Sequence, residues 1–301
     1  MAEVLILSGK TVSQHVYHSL QPRIDSLTRS GVIPGLAVVL VGDNPASQIY
    51  VNSKAKRFDK LGLFSETFKL PENIPENDIL SLINDLNNDN RFHGILVQMP
   101  LPEHLNESTV IRTINPEKDV DGFHPENMGL LASGIPRFIP CTPKGIMRIL
   151  EYYQIDPSGK HVVVIGRSNI VGRPVSILMS LKQEFSNATT TICHSGTSDI
   201  SYFTRQADIL IAAMGVPEFV KAHQVKKGVV IIDVGINRVE DDSKKGYTLV
   251  GDVDFINVAE KASAITPVPG GVGVMTIAML VENTVEAAEH LVSGGVVAGD
   301  L

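Results

Sequence analysis

The stretch HVVVIGRSNIVGRP, His161 to Pro174, decides how the chain is read. Val162 to Ile165 form an apolar, β-branched run that stops at Gly166, and after a short loop a helical pattern, PVSILMSLKQE, takes over. A buried strand that turns through glycine into a helix presents free N–H groups suited to a phosphate. The spacing departs from G-x-G-x-x-G, because Gly166-Arg167-Ser168 is followed only by Gly172. On this motif alone, a glycine turn between a core strand and a core helix stays open beside a dinucleotide site.

The next apolar strand, TTTICHS, ends at Cys193, His194 and Ser195, where a site for NAD would place an acid to accept from the ribose 2'-hydroxyl. No acid stands there. Glu184 precedes the strand, at the expected end of the helix, and should point away from the ribose. Arg167 and Ser195 instead offer a cation and a hydroxyl for a 2'-phosphate, so the expected cofactor is NADP rather than NAD. The plainer reading of Arg167 is a pairing with a surface carboxylate.

A chain of 301 residues with 43% hydrophobic content is long enough for two domains, each with its own core. The net charge of -7 and the lack of any Lys/Arg run argue against nucleic acid as a partner. Two widely separated cysteines, Cys141 and Cys193, give neither a disulfide framework nor a zinc knuckle, and they suit a reducing cytoplasm. No apolar run approaches the ~20 residues of a membrane span, and the N-terminus lacks the pattern of a signal or transit peptide. A soluble cytoplasmic protein without a metal is expected.

Outward from the opening stretch, strands at Val162–Ile165, Thr189–Cys193, Ile209–Ala213 and Val229–Val234 alternate with helices, as in a doubly wound parallel sheet. On the N-terminal side, SQHVYHSLQPRIDSLTR (13–29) places Val16, Leu20, Ile24 and Leu27 on one helical face, with Pro22 a kink or break. GLAVVLVGD (35–43) reads as a strand covered on both sides. Ser47 is the expected start of a helix that carries Tyr50 and Lys54 on one face. Strands at Phe64–Leu70 and in FHGILVQMPLP (92–102), apolar until Gln98, follow, with helices over DILSLINDLNND and Glu107–Ile114. The polar stretch NPEKDVDGFHPENMG reads as a loop. A helix in GIMRILEYYQI leads into the second domain, and a long buried helix, Met275–Leu291, follows ITPVPGGVGVMT. The expected fold is therefore α/β: two α/β domains, the second a Rossmann-like doubly wound parallel sheet. Residues 1–145 with the helix 275–291 are expected to form the first domain, residues 146–274 the second, and 292–301 a flexible tail.

Tyr-x-x-x-Lys spacing by itself is more often a solvated helix face than a site. Short-chain dehydrogenases use such a pair, but after an N-terminal cofactor fingerprint. Here Tyr50 and Lys54 precede Gly166, in the other domain, which breaks that order.

Taken together, YVNSK (50–54), GILVQMPLP (94–102), PEKDVDGF (116–123), PCTPKG (140–145), GRSNIVGRP (166–174), DVGIN (233–237) and TPVPGGVGVMT (266–276) resemble methylenetetrahydrofolate dehydrogenase/cyclohydrolase, in order and over nearly the whole chain. One departure is Val274, where many members carry proline. The resemblance implies a bifunctional enzyme with a catalytic cleft between its domains. Such an enzyme oxidises 5,10-methylenetetrahydrofolate with NADP and hydrolyses the 5,10-methenyl product to 10-formyltetrahydrofolate. It implies Lys54 as the catalytic amine, with Gln98, Tyr50 and Asp121 as its catalytic partners. It places Ser47, Tyr50, Val97, Met99, Asp121 and the turn Pro269, Gly270, Gly271, Val272 and Gly273 on the substrate side. Gly166, Arg167, Ser168, Ser195, Ile236 and Thr142 fall on the cofactor side. It also implies tetrahydrofolate one-carbon derivatives as ligands and a homodimer formed through the cofactor domain. A dehydrogenase-only relative and a non-catalytic NADP or folate binder are the alternatives. The length leaves no room for the synthetase domain fused to some relatives.

Overall fold

The computed structural model describes residues 3–242 and 246–292. In chain order its strands are β1 (Leu5–Ile6), β2 (Gly35–Val41), β3 (Phe64–Leu70), β4 (Gly94–Val97), β5 (His161–Ile165), β6 (Thr189–Cys193), β7 (Ile209–Ala212), β8 (Val230–Asp233), β9 (Asn237–Glu240), β10 (Tyr247–Val250) and β11 (Ala264–Ile265). Its helices are α1 (Gly9–Arg29), α2 (Pro45–Lys60), α3 (Glu76–Asn88), α4 (Glu107–Thr113), α5 (Pro125–Ala132), α6 (Cys141–Tyr152), α7 (Gly172–Ser180), α8 (Ile200–Thr204), α9 (Phe255–Ala259) and α10 (Val272–Val292).

Contacts divide the chain into two units. The three-stranded unit holds Val16–Cys141 and, of the described residues, 277–292. Its parallel sheet runs β3-β2-β4. Every residue of β2 is buried, as a central parallel strand with both faces covered requires. One face packs Val39, Val41, Ile95 and Val97 against Ile79 and Ile83 of α3.

The six-stranded unit holds the chain up to His15 and Thr142–Thr276. Its sheet is parallel throughout, in the order β1-β11-β8-β7-β5-β6. The order reverses beside β5, where the chain moves outward to β6 and then back across to β7. That is the switch point at which such sheets bind ligands.

The boundaries differ from the sequence expectation. The first fifteen residues join the six-stranded unit because Leu5 and Ile6 pair with Ala264 and Ile265 at its edge. The division also falls inside α1, α6 and α10, not in linkers. Pro22 interrupts nothing: α1 runs unbroken from Gly9 to Arg29. The polar stretch expected as a loop contains α5, which has proline at its first turn and the His124 side chain accepting from the Glu126 N–H. Of the expected flexible tail, Val292 closes α10 and 293–301 lie outside the described residues.

Candidate active site

In the three-stranded unit, α2 and the carboxyl end of β4 bring two side chains together. Lys54 Nζ donates to Gln98 Oε1 at 3.0 Å. Gln98 follows the last residue of β4, and its own Nε2 donates to the Met99 carbonyl at 2.9 Å, so its oxygen is the end left to face the amine. Burial holds the Lys54 pKa below the usual lysine value, opposed by the nearby Asp121 carboxylate and, more weakly, by Cys141. Burial likewise raises Asp121, while Lys54 and a hydrogen bond from the Cys141 thiol draw it back down. An amine, a carboxyl and an amide, each half-buried, thus share one place with a buried thiol.

The turn that carries Asp121 is fixed from both sides. Asp119, only 2% exposed, accepts from Phe123 N, His124 N and Asn127 Nδ2. From α10, the fully buried Asn283 donates to Val120 O at 2.7 Å and Ile139 O at 3.0 Å. One amide therefore ties the residue before Asp121 to the segment that leads into Cys141. Burial pushes Asp119 up to about 7, yet its carboxyl is held by this turn and by the first part of α5.

In the six-stranded unit the loop after β5 folds back on itself. Gly166 has φ +124, and a Cβ there would stand 2.2 Å from the Ala213 carbonyl oxygen. A Cβ on Gly172 would meet the Gly166 oxygen at 2.2 Å. Only glycines permit this close turn at the amino end of α7, and Arg167 stands exposed beside it. Ser195 is exposed at the end of β6, the neighbouring strand. A bare main chain, a helix start and an exposed cation fit a dinucleotide phosphate. Below this rim, Asp252 Oδ2 accepts from Met214 N and Gly215 N, Asp252 Oδ1 accepts from Asn237 Nδ2, and Asp233 accepts from Gly235 N, Asp252 N and Val253 N. Burial raises Asp233 to about 7. Among the described residues no group of His, Cys, Asp and Glu is placed to hold a metal ion.

Family models agree with this division of labour. Residues 7–121 match the catalytic domain of tetrahydrofolate dehydrogenase/cyclohydrolase, and residues 140–292 match its NAD(P)-binding domain. A bifunctional protein FolD from Chlorobium chlorochromatii is 52% identical over 292 residues, 96% of this chain and 99% of the relative. The chain belongs to the tetrahydrofolate dehydrogenase/cyclohydrolase family. The crystal structure of the bifunctional FolD enzyme from Campylobacter jejuni superposes with a TM-score of 0.91 at 48% identity, covering 96% of this chain and 99% of that one. The Trypanosoma brucei enzyme, solved with NADP cofactor and inhibitor, gives a TM-score of 0.91 at 36% identity, covering 97% and 99%.

Against the family pattern, the expected residues sort unevenly. Lys54, Gln98 and Asp121 cluster, and Tyr50, one turn before Lys54, keeps 40% of its surface open. Ser47 is buried and does not start its helix: Pro45 does, with the Asn44 side chain accepting from Ser47 N at 3.2 Å. Val97 is a core side chain at 5% exposure, because alternation along β4 sends Ile95 and Val97 to the same covered face; only its main chain is left for a ligand. Met99 packs partly on that core. Ser168 is exposed, but its hydroxyl accepts from Val171 N and Gly172 N and so closes the turn that leads into α7. Thr142 is half-buried in the first turn of α6. Pro269, Gly270, Gly271, Val272 and Gly273 belong to the six-stranded unit, not to the unit of Lys54. There Gly273 lies so close to Ile236 that a Cβ on it would stand 2.6 Å from Ile236 Cδ1. Asn283 and Asp252 escaped the sequence reading. The only trace of the first was a lone amide in the apolar run of α10.

Proposed function

We propose that the protein oxidises 5,10-methylenetetrahydrofolate with NADP and hydrolyses the resulting 5,10-methenyl compound to 10-formyltetrahydrofolate. The observation that carries this reading is the Lys54–Gln98 hydrogen bond, set beside Asp121 where burial favours the neutral amine. When bound, NADP supplies the acceptor for the hydride that leaves the one-carbon bridge.

The chain's own residues do the rest. Hydride loss leaves an amidinium-like carbon, and water adding to it must shed a proton. An unperturbed lysine would be almost wholly protonated at neutral pH, so the depressed Lys54 is the group able to take that proton. Gln98 holds the amine in register. Asp121 accepts from the pterin amino and ring N–H groups, a pairing that uses both carboxylate oxygens. The open Tyr50 ring offers a stacking face to the substrate's aromatic part. Arg167 and Ser195 favour the 2'-phosphate of NADP.

A cytoplasmic homodimer completes the reading. Both cysteines are free and buried, which suits a reducing compartment. Among the described residues no helix is long and apolar enough to cross a membrane. The outer strand of the six-stranded sheet, β6, leaves Ile192 40% exposed, a surface suited to a second copy.

A spectrophotometric assay with methylenetetrahydrofolate, run in parallel with NADP and NAD, tests the oxidation. Hydrolysis of the methenyl compound without any nucleotide tests the second step. Both reactions are expected, the first faster with NADP. A protein that oxidises but does not hydrolyse is a dehydrogenase only, and one that binds folate without turnover is not an enzyme of this kind.

A further inference from the structure

A second cavity, of about 370 Å³, opens in the three-stranded unit, and nothing in the proposed reaction uses it. His93, Lys118, Arg137, His290 and Glu117 line it, with Ala287 of α10 forming part of the wall. His93 directly precedes β4 and Gln98 directly follows it. The cavity therefore lies at the opposite end of the strand from Lys54, with His93 and Gln98 roughly 16–17 Å apart at ~3.3 Å per residue.

Its deep groups are donors. His93 is 6% exposed, and its Nδ1 accepts from the Gly35 N–H at 3.1 Å. That bond puts the ring proton on Nε2, which has no partner among the described residues. Lys118 is 7% exposed and gives two of its three N–H bonds to the Leu86 and Asp89 carbonyls, at 3.2 and 2.9 Å. Arg137 uses Nη1 for Asn127 and Glu126, which leaves Nε and Nη2 available. The carboxylate in the lining, Glu117, is exposed, and the counter-charge that reaches Lys118 comes from Asp89, outside the lining. Two buried donors with unspent N–H groups and a forked guanidinium make a receptor for an oxyanion.

The same segment reaches the active site. Lys118 is followed by Asp119, Val120 and Asp121, and its carbonyl accepts from Ile95 N of β4 at 2.8 Å. We propose that this cavity binds a small oxyanion, a phosphate or carboxylate group, and that its occupancy adjusts Asp121 through residues 118–121. The binding claim stands alone, whereas the effect on turnover rests on the function proposed above.

The probes are inorganic phosphate and citrate, with chloride at matched ionic strength as control, on full-length protein labelled with nitrogen-15 in histidine. His93→Gln assigns the Nε2–H resonance. The expected result is a saturable shift of that signal with phosphate or citrate, the tighter of the two identifying the anion class. Binding should weaken tenfold or more in Arg137→Gln. Asn90→Asp, a charge added at the exposed rim of the cavity, should weaken it as well and serves should Arg137→Gln fail to fold. A shift that does not saturate, that chloride reproduces, or that both variants retain would overturn the site. Methenyl hydrolysis, which needs no nucleotide, then reads the coupling: the preferred anion should change the KM at least twofold in the wild type and leave Arg137→Gln unaffected. Saturable binding with an unchanged KM would overturn the coupling alone. Absence of hydrolysis in every sample would instead overturn the proposed function, with the resonance shift still deciding the site.

Discussion

Asp121 and Asp233 are both acids whose pKa burial raises, yet they stand in opposite kinds of surroundings. Asp233 is saturated by main-chain donors: Gly235, Asp252 and Val253 fill its oxygens, and with Asp252 it laces the loops after β7 and β8 together. Asp121 is surrounded by side chains that themselves titrate, Lys54 and Cys141. Burial makes the first a structural knot and the second a responsive group. A raised acid is therefore not enough to mark a reacting centre. What distinguishes the two is whether the partners are peptide groups, which hold their protons, or functional groups, which exchange them.

The largest effect belongs to the responsive cluster. Lys54→Met should cut methenyl hydrolysis by about 10²- to 10⁴-fold, as loss of a general base does, and a mutant with wild-type hydrolysis would refute the role given to the amine. In the wild type, hydrolysis should rise with pH as Lys54 deprotonates. Asp121→Asn should move that midpoint lower, because the carboxylate is what raises the lysine.

The structural acid should show in stability instead. Between about pH 4 and 7 the native protein keeps a proton on Asp233 that the unfolded chain has shed, so rising pH costs stability through this group. Asp233→Asn removes that titration. Its deficit relative to wild type should shrink by on the order of 2–4 kcal/mol from pH 4 to pH 7.5 in urea unfolding, and a constant deficit would show that Asp233 does not titrate there.

Arg167→Ala should weaken NADP binding by about 1.5–3 kcal/mol while sparing NAD, measured by calorimetry; equal losses would remove Arg167 from 2'-phosphate recognition. The smallest effect is expected at the thiol. Cys141→Ala should cost about 0.5–1.5 kcal/mol in kcat/KM, with Cys141→Ser restoring most of it if the hydrogen bond to Asp121 is the cause.

How much of this was legible in the sequence depended on how far apart the interacting residues lie. β3 and β6 fall at their expected residues, Phe64–Leu70 and Thr189–Cys193, because local alternation and β-branched runs announce strands. Tyr50 and Lys54 share a helix, so their common face followed from spacing, and the glycine turn after β5 followed from residues 161–174. β1 was invisible: two exposed residues become a strand only through pairing with Ala264 and Ile265. The short hairpin of β9 and β10 and the helix α5 lay in polar stretches where no hydrophobic period stands out. Asn283 could not be assigned a task before α10 was placed beside Val120 and Ile139, since one amide in an apolar run carries no sign of the carbonyls it will meet.

The pairing of β1 with β11 also has a consequence for how the chain is made. The strands of the β3-β2-β4 sheet all emerge from the ribosome within the first hundred residues and can associate at once. Leu5 and Ile6 leave earlier still, but must wait for residues 264 and 265, a delay of tens of seconds at roughly 5–20 residues per second. A strand made before all the others described is thus among the last to find its neighbour. During that interval a bulky fusion ahead of it, or a chaperone holding it, would act on the assembly of the nucleotide-binding sheet while leaving the smaller sheet free to form.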